Sequence, residues 1–317
     1  MLLLSSFSYY SELKKEEYFE NFLMLLFATN SIAVAYIFYA SAYKVGANIY
    51  GNEYISFGGF HLFGLYFFIF SLPFFLFKIQ SSKKKFIYYL LLFLEFAIIL
   101  ISLKRTFLIF AVIIYSLYFI IYLRKNSVKL IVIIFASTVI FSYNTFKTEL
   151  EILFETRQKK YEKALTDEGR YLEYLIFFEE RVQNISVESF IGSNIFNNYG
   201  LFGKGNSYGL NTNDRSLHSD FMEILYGAGF IGFFLFSYFF SKLFFLYVNI
   251  KKKLNKIASR DFTFLFLATY IMLLFSHSID GIFIFWARGF AYLCIGLILA
   301  YYKNRMRNTA SVLPIRE

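Results

Sequence analysis

The sequence predicts an all-α polytopic membrane protein. Three observations carry that prediction. Of the 317 residues, 58% are hydrophobic and 23% aromatic, with two Pro and a single Cys, more apolar surface than a soluble domain can bury. The apolar residues come in long continuous runs, whereas a transmembrane β-barrel alternates apolar with polar residues. The Lys and Arg gather in short gaps between those runs, the pattern of topology determinants at an anionic cytoplasmic leaflet. The net charge of +10 therefore points to membrane lipids as partners, not to nucleic acid.

A crossing needs roughly 17–25 apolar residues, and on that rule about eight spans follow in order. They are 21–43, 59–78, 86–103, 106–123, 128–143, 221–247, 263–283 and 286–302. The opening MLLLSSFSYY is short and lacks a basic start and a small-residue cleavage site, so it does not read as a signal peptide. SELKKEEYFE at 11–20 reads as an amphipathic lead-in. Basic clusters occupy 83–85, 124–129, 251–256 and 303–307. With all four on the cytoplasmic side the spans alternate without contradiction and both termini are cytoplasmic. The chain then divides into N-terminal spans at 1–143, a large extracytoplasmic loop at 144–220 and C-terminal spans at 221–317.

Residues 143–220 hold nine Lys/Arg against twelve Asp/Glu, net −3, which leaves +13 on the rest. A translocated loop is expected to be poor in cations, and loops of this length usually have a task. Its first half, with YNTFKTELEILFETRQKKYEKAL and GRYLEYLIFFEERVQ, has helical texture. Its second half, FIGSNIFNNYGLFGKGNSYGLNTNDRS, is Gly- and Asn-rich and irregular.

The loop ends in NDRSLHSDF at 213–221, before one of the most apolar runs. Asp220 can serve as N-cap and Glu223 as the N3 residue of a capping box. His218, one of three His, then stands just before a helix N-terminus, where the partial positive charge disfavours imidazolium and leaves an imidazole able to accept a proton. The alternative is a surface His beside a cap. Arg105 in SLKRTFLIF, Arg170 after Gly169 and Arg215 all fall on the outer side, where topology does not call for cations. A guanidinium fork matches phosphate oxygens, so the three suit a multi-anionic ligand; pairing with the loop's own acids is the alternative. Lys204 in GLFGKGNS looks like a phosphate loop only superficially, since Gly follows the Lys where Ser or Thr is required.

Glu95 sits mid-span in LLLFLEFAIIL, where a carboxylate is costly unless paired or protonated, so it is either a functional group or one satisfied by a neighbouring helix. Asp280 and Arg288 bracket the last outer turn and can pair, and His61 and His277 read as interfacial or structural. No metal-ligand spacing and no Gly-x-Ser-x-Gly occurs, and the lone Cys294 forms no intrachain disulfide.

The chain resembles the O-antigen polymerase and O-antigen ligase family of bacterial inner-membrane glycosyltransferases. The strongest stretch is LHSDFMEILYGAGFIGFFLF at 217–236, like the family's His, small polar residue, helix start and aliphatic-Gly-aliphatic run. GRYLEYLIFFEERVQ at 169–183, followed by the Gly-rich stretch 192–205, is similar to its Gly-Arg helix and Gly-x-Gly turn, and SLKRTFLIF at 102–110 to its Ser-x-x-Arg span end. Roughly residues 86–247 are covered. Ser219 stands where the family commonly has Asn, and family members usually have ten or more spans, the shortfall here falling at the N-terminus.

That resemblance implies a GT-C-like, metal- and cofactor-independent transferase using a glycan on an undecaprenyl-pyrophosphate carrier. The catalytic pair would be His218 and Arg170. Substrate binding would fall to Arg105, Arg215, Lys204 and Glu95. A chain-length regulator and a flippase are the implied protein partners. A polymerase of repeat units is the first expectation. An O-antigen ligase to lipid A–core is its close rival, and a transporter or flippase of lipid-linked sugars the rival from another class.

Overall fold

The computed structural model describes residues 17–45, 61–83, 85–102, 105–122, 178–192, 220–279 and 285–312. Among the described residues the chain is all-helical, without a strand. Helix α1 is Glu17–Ala42, α2 His61–Ser81, α3 Lys85–Ser102 and α4 Arg105–Tyr122. A π-helical stretch at Phe178–Gln183 and the short α5 at Val187–Ile191 follow, then α6 at Asp220–Lys251, α7 at Lys256–Ile279 and α8 at Phe285–Val312. Seven of the eight ranges expected as spans thus coincide with helices, and 128–143 lies outside the described residues.

Among the described residues three helices are long and apolar enough to cross a membrane: Glu17–Ala42, Phe221–Lys251 and Lys256–His277. That marks a helical membrane protein. Apolar helices within α2 and α4 (Tyr66–Gln80 and Phe107–Tyr122) are shorter. Pro73 lies inside α2. Its ring removes one helical hydrogen bond.

The chain forms two compact units. The first comprises residues 1–126, 245–274 and 285–317, the second 127–244 and 275–284. In the first, α2 packs against α1, α3, α4 and α8. Its core is aromatic: Phe68, Phe70, Phe74, Phe75, Phe107, Phe110, Phe262 and Phe264 are all buried. Rings interlock between helices, with Phe19 stacked on Tyr301 at 4.3 Å and Tyr247 on Phe266 at 4.5 Å.

Polar contacts tie one end of this unit together. Lys78 pairs with Glu20, Gln80 donates to the Tyr118 hydroxyl, and Tyr122 donates to Asp261 Oδ1 at 3.0 Å. The Phe262 and Tyr302 rings meet at 4.8 Å. These contacts, with the Tyr247–Thr263 hydroxyl pair, place the ends of α2, α4 and α6, the start of α7 and the Tyr302 level of α8 at one end of the unit.

In the second unit, α6 is broken at Gly229, which takes φ 63° and ψ −165°. The helix begins at Asp220 itself, one residue earlier than an N-cap at that position demands.

Candidate functional site

The structure describes the side chain of one sequence-predicted site residue, Glu95. Arg170, Lys204, Arg215 and His218 lie outside the described residues, as does Asp280. Arg105 is the first residue of α4 and His61 the first of α2, and their helix positions alone are described.

Glu95 is fully buried, at 0% exposure. Among the described residues neither carboxylate oxygen has a hydrogen-bond partner. Its neighbour Phe96 packs edge-on against Tyr115 of α4, ring centres 5.7 Å apart. In the same unit, Asn30 of α1 donates to Ser71 Oγ of α2 at 3.0 Å. A lipid-linked glycan cannot touch a side chain enclosed in this way unless the helices part.

His277 is buried, and the Phe236, Phe240 and Phe221 rings surround it at 5.2, 5.6 and 6.4 Å. An imidazole set in an aromatic box agrees with the structural role expected of it.

The second unit also holds a feature that residue-type reasoning passed over. Arg181, within the π-helical stretch, is 4% exposed. Its Nη1 donates to Glu188 Oε2 at 2.7 Å, and its guanidinium lies 5.9 Å from the centre of the Tyr226 ring. The carboxylate and the aromatic face together compensate a buried cation. Arg181 thereby pins the π-helical stretch to α5 and to the first turns of α6.

Beside this pin, two backbones meet. A Cβ on Gly192 would stand 2.1 Å from the Gly227 carbonyl oxygen, and one on Gly229 would stand 2.3 Å from the Phe190 carbonyl oxygen. Phe190 and Phe230 flank the contact edge to face at 6.1 Å. Arg181, Gly192 and Gly229 lie within the stretches 169–183, 192–205 and 217–236. In the sequence Arg170 stands out by following Gly169, whereas no local signal separates Arg181 from the acids around it.

No family model, curated protein or solved structure matches the chain. Its chemistry must be argued from its own residues. Among the described residues no three His, Cys, Asp or Glu side chains gather as metal ligands. What the second unit offers is a rigid mount, an Arg-clamped segment locked onto a broken helix, at the start of the helix that His218 precedes in sequence.

Proposed function

We propose that the chain is a polymerase of lipid-linked polysaccharide repeat units, working at the outer face of a bacterial inner membrane. In this reading it has about eight transmembrane helices in a GT-C-like arrangement, both termini cytoplasmic. The observation that carries it is the ordered set of residues Arg105, Arg170, Arg215 and His218, all on the expected outer side. The start of α6 at Asp220 supports it, since His218 then stands two residues ahead of a helix N-terminus.

The chemistry is a glycosyl transfer. The acceptor sugar hydroxyl attacks the anomeric carbon of the donor glycan, a new C–O bond forms, and the bond to undecaprenyl pyrophosphate breaks. The hydroxyl proton passes to the His218 imidazole. Arg170 and Arg105 hold the pyrophosphate and stabilise the charge that develops on it, assisted by Arg215 and Lys204. The donor is already activated, so no nucleotide is consumed. A flippase would supply the donor and a chain-length regulator would limit the product.

The test is surface-glycan length in a deletion strain complemented with wild type, His218→Ala or Arg170→Ala at matched membrane abundance. A ladder restored by wild type and collapsed to a single repeat in both variants is expected. Loss of surface-attached glycan while long lipid-linked chains accumulate would instead identify a ligase. Normal ladders in both variants would remove the roles given to His218 and Arg170.

A further inference from the structure

The polar groups midway along the first three helices do not balance. Asn30 Nδ2 donates to the Leu26 carbonyl at 2.8 Å and to Ser71 Oγ at 3.0 Å. Ser71 Oγ donates in turn to the Phe67 carbonyl at 2.7 Å. Every donor in this group is used, and Asn30 Oδ1 is left buried without one. Glu95 is fully buried, and both its oxygens also lack a partner among the described residues. An ionised Glu95 would therefore add acceptors to a site already short of a donor.

The register brings these groups toward one level. Phe27 of α1, Phe75 of α2 and Tyr88 of α3 form a triad, with ring centres 6.3, 5.2 and 6.3 Å apart. Glu95 follows Tyr88 by two turns on the same face of α3. Asn30 follows Phe27 by about one turn, and Ser71 precedes Phe75 by about one turn on the antiparallel α2. All three polar residues thus stand on the same side of the triad, with Glu95 roughly 6 Å beyond Asn30 along the axis at about 1.5 Å per residue. In α-helices side chains lean toward the N-terminus, and the longer Glu95 side chain leans further than that of Asn30, which narrows this separation.

No cation reaches this level among the described residues. Lys85 and the Lys78–Glu20 pair lie on the opposite side of the triad. The titratable groups on Glu95's side are Tyr115 of α4 and Tyr66 of α2, both phenols. A lone charge in such surroundings is far costlier than a neutral acid.

We propose that Glu95 and Asn30 form a proton-binding site within the helix packing: the Glu95 carboxyl carries the proton and Asn30 Oδ1 accepts its hydrogen bond. One proton then supplies the donor that Asn30 Oδ1 lacks and turns one Glu95 oxygen from acceptor to donor, so that only the carboxyl's other oxygen, a neutral and weaker acceptor, is left over. The site stands apart from the glycosyl-transfer reading and does not depend on it.

Infrared spectroscopy of the full chain in lipid nanodiscs at neutral pH tests this. Wild type minus Glu95→Gln is expected to show the carbonyl stretch of a protonated carboxyl, and Asn30→Ala to shift that stretch to higher frequency as its hydrogen bond is lost. Labelling wild type with carboxyl-13C glutamate should move the same band, a readout that needs no variant to fold. No isotope-sensitive acid band would mean that Glu95 is ionised and would overturn the proposal. A band indifferent to Asn30→Ala would remove Asn30 from the site.

Discussion

Gly192 and Gly229 meet backbone to backbone: a Cβ built on Gly229 would lie 2.6 Å from the Gly192 nitrogen. Both residues have positive φ, 77° and 63°. The conformation at Gly229 breaks α6, and the break lets the end of α5 approach the α6 backbone. The two glycines are thus required twice, for their own dihedrals and for each other's space.

Alanine at either position should fail on both counts. A side chain at such dihedrals costs about 1–3 kcal/mol, and the backbone overlap adds to that. Gly229→Ala and Gly192→Ala are each expected to lower the melting temperature in detergent by several degrees and to reduce membrane abundance. Wild-type melting in both variants would mean that this contact is not part of the folded protein.

The Arg181 clamp predicts an asymmetry between its two partners. The Arg181 side chain is 5% exposed and that of Glu188 63%. Glu188→Gln keeps an amide oxygen that can accept from the buried guanidinium, so it trades a charge-assisted bond for a neutral one, a loss of about 1 kcal/mol. Removing the guanidinium also strips packing and the cation–ring contact from a buried position, about 2 kcal/mol in total. Arg181→Ala should therefore destabilise clearly more than Glu188→Gln in parallel denaturant titrations. Equal effects would show that the ion pair alone carries the clamp.

At the basic end of the first unit, Tyr122 bonds Asp261 Oδ1 at 3.0 Å, and the Arg260 guanidinium lies 4.9 Å from the centre of the Tyr122 ring. A hydrogen bond to a partly buried carboxylate contributes about 1–2 kcal/mol. Tyr122→Phe and Asp261→Asn should each cost about that much, and the double variant should cost little more than either alone. Strict additivity in the double-mutant cycle would deny the coupling.

The helices were legible because each apolar run is bounded by charge, and the boundaries fall close: 86–103 against Lys85–Ser102, 106–123 against Arg105–Tyr122. Less of the candidate site could be read. The run LYGAGFIGFF reads as continuous helix, since nothing local distinguishes Gly229 from the other glycines. Its break depends on Phe190, about 40 residues away in sequence. Glu95 was recognisable as costly, but its lack of partners depends on what α1 and α2 place opposite it. Arg181 lay hidden among the acids of FEERVQ, its burial decided by Tyr226. In each case the missing information is a contact distant in sequence, to which periodicity is blind.

The arrangement of helix ends yields a last prediction, on orientation. Glu20 pairs with Lys78, so the start of α1 and the end of α2 lie together, and Ser82 follows directly. Asn48, in the outer turn expected from sequence, follows the opposite end of α1. Lys253 lies between α6 and α7, at the end marked by the Tyr122–Asp261 bond. Cys294 is the chain's single cysteine and is buried, so Cys294→Ala gives a cysteine-free background at small cost. In that background, a membrane-impermeant maleimide applied to intact cells should label Asn48→Cys and spare Ser82→Cys and Lys253→Cys. All three should react once the membrane is opened. Labelling of Ser82→Cys and Lys253→Cys on intact cells, with Asn48→Cys spared, would turn the protein over. It would also place Arg105, Arg170, Arg215 and His218 on the cytoplasmic side, away from the glycan they are proposed to transfer.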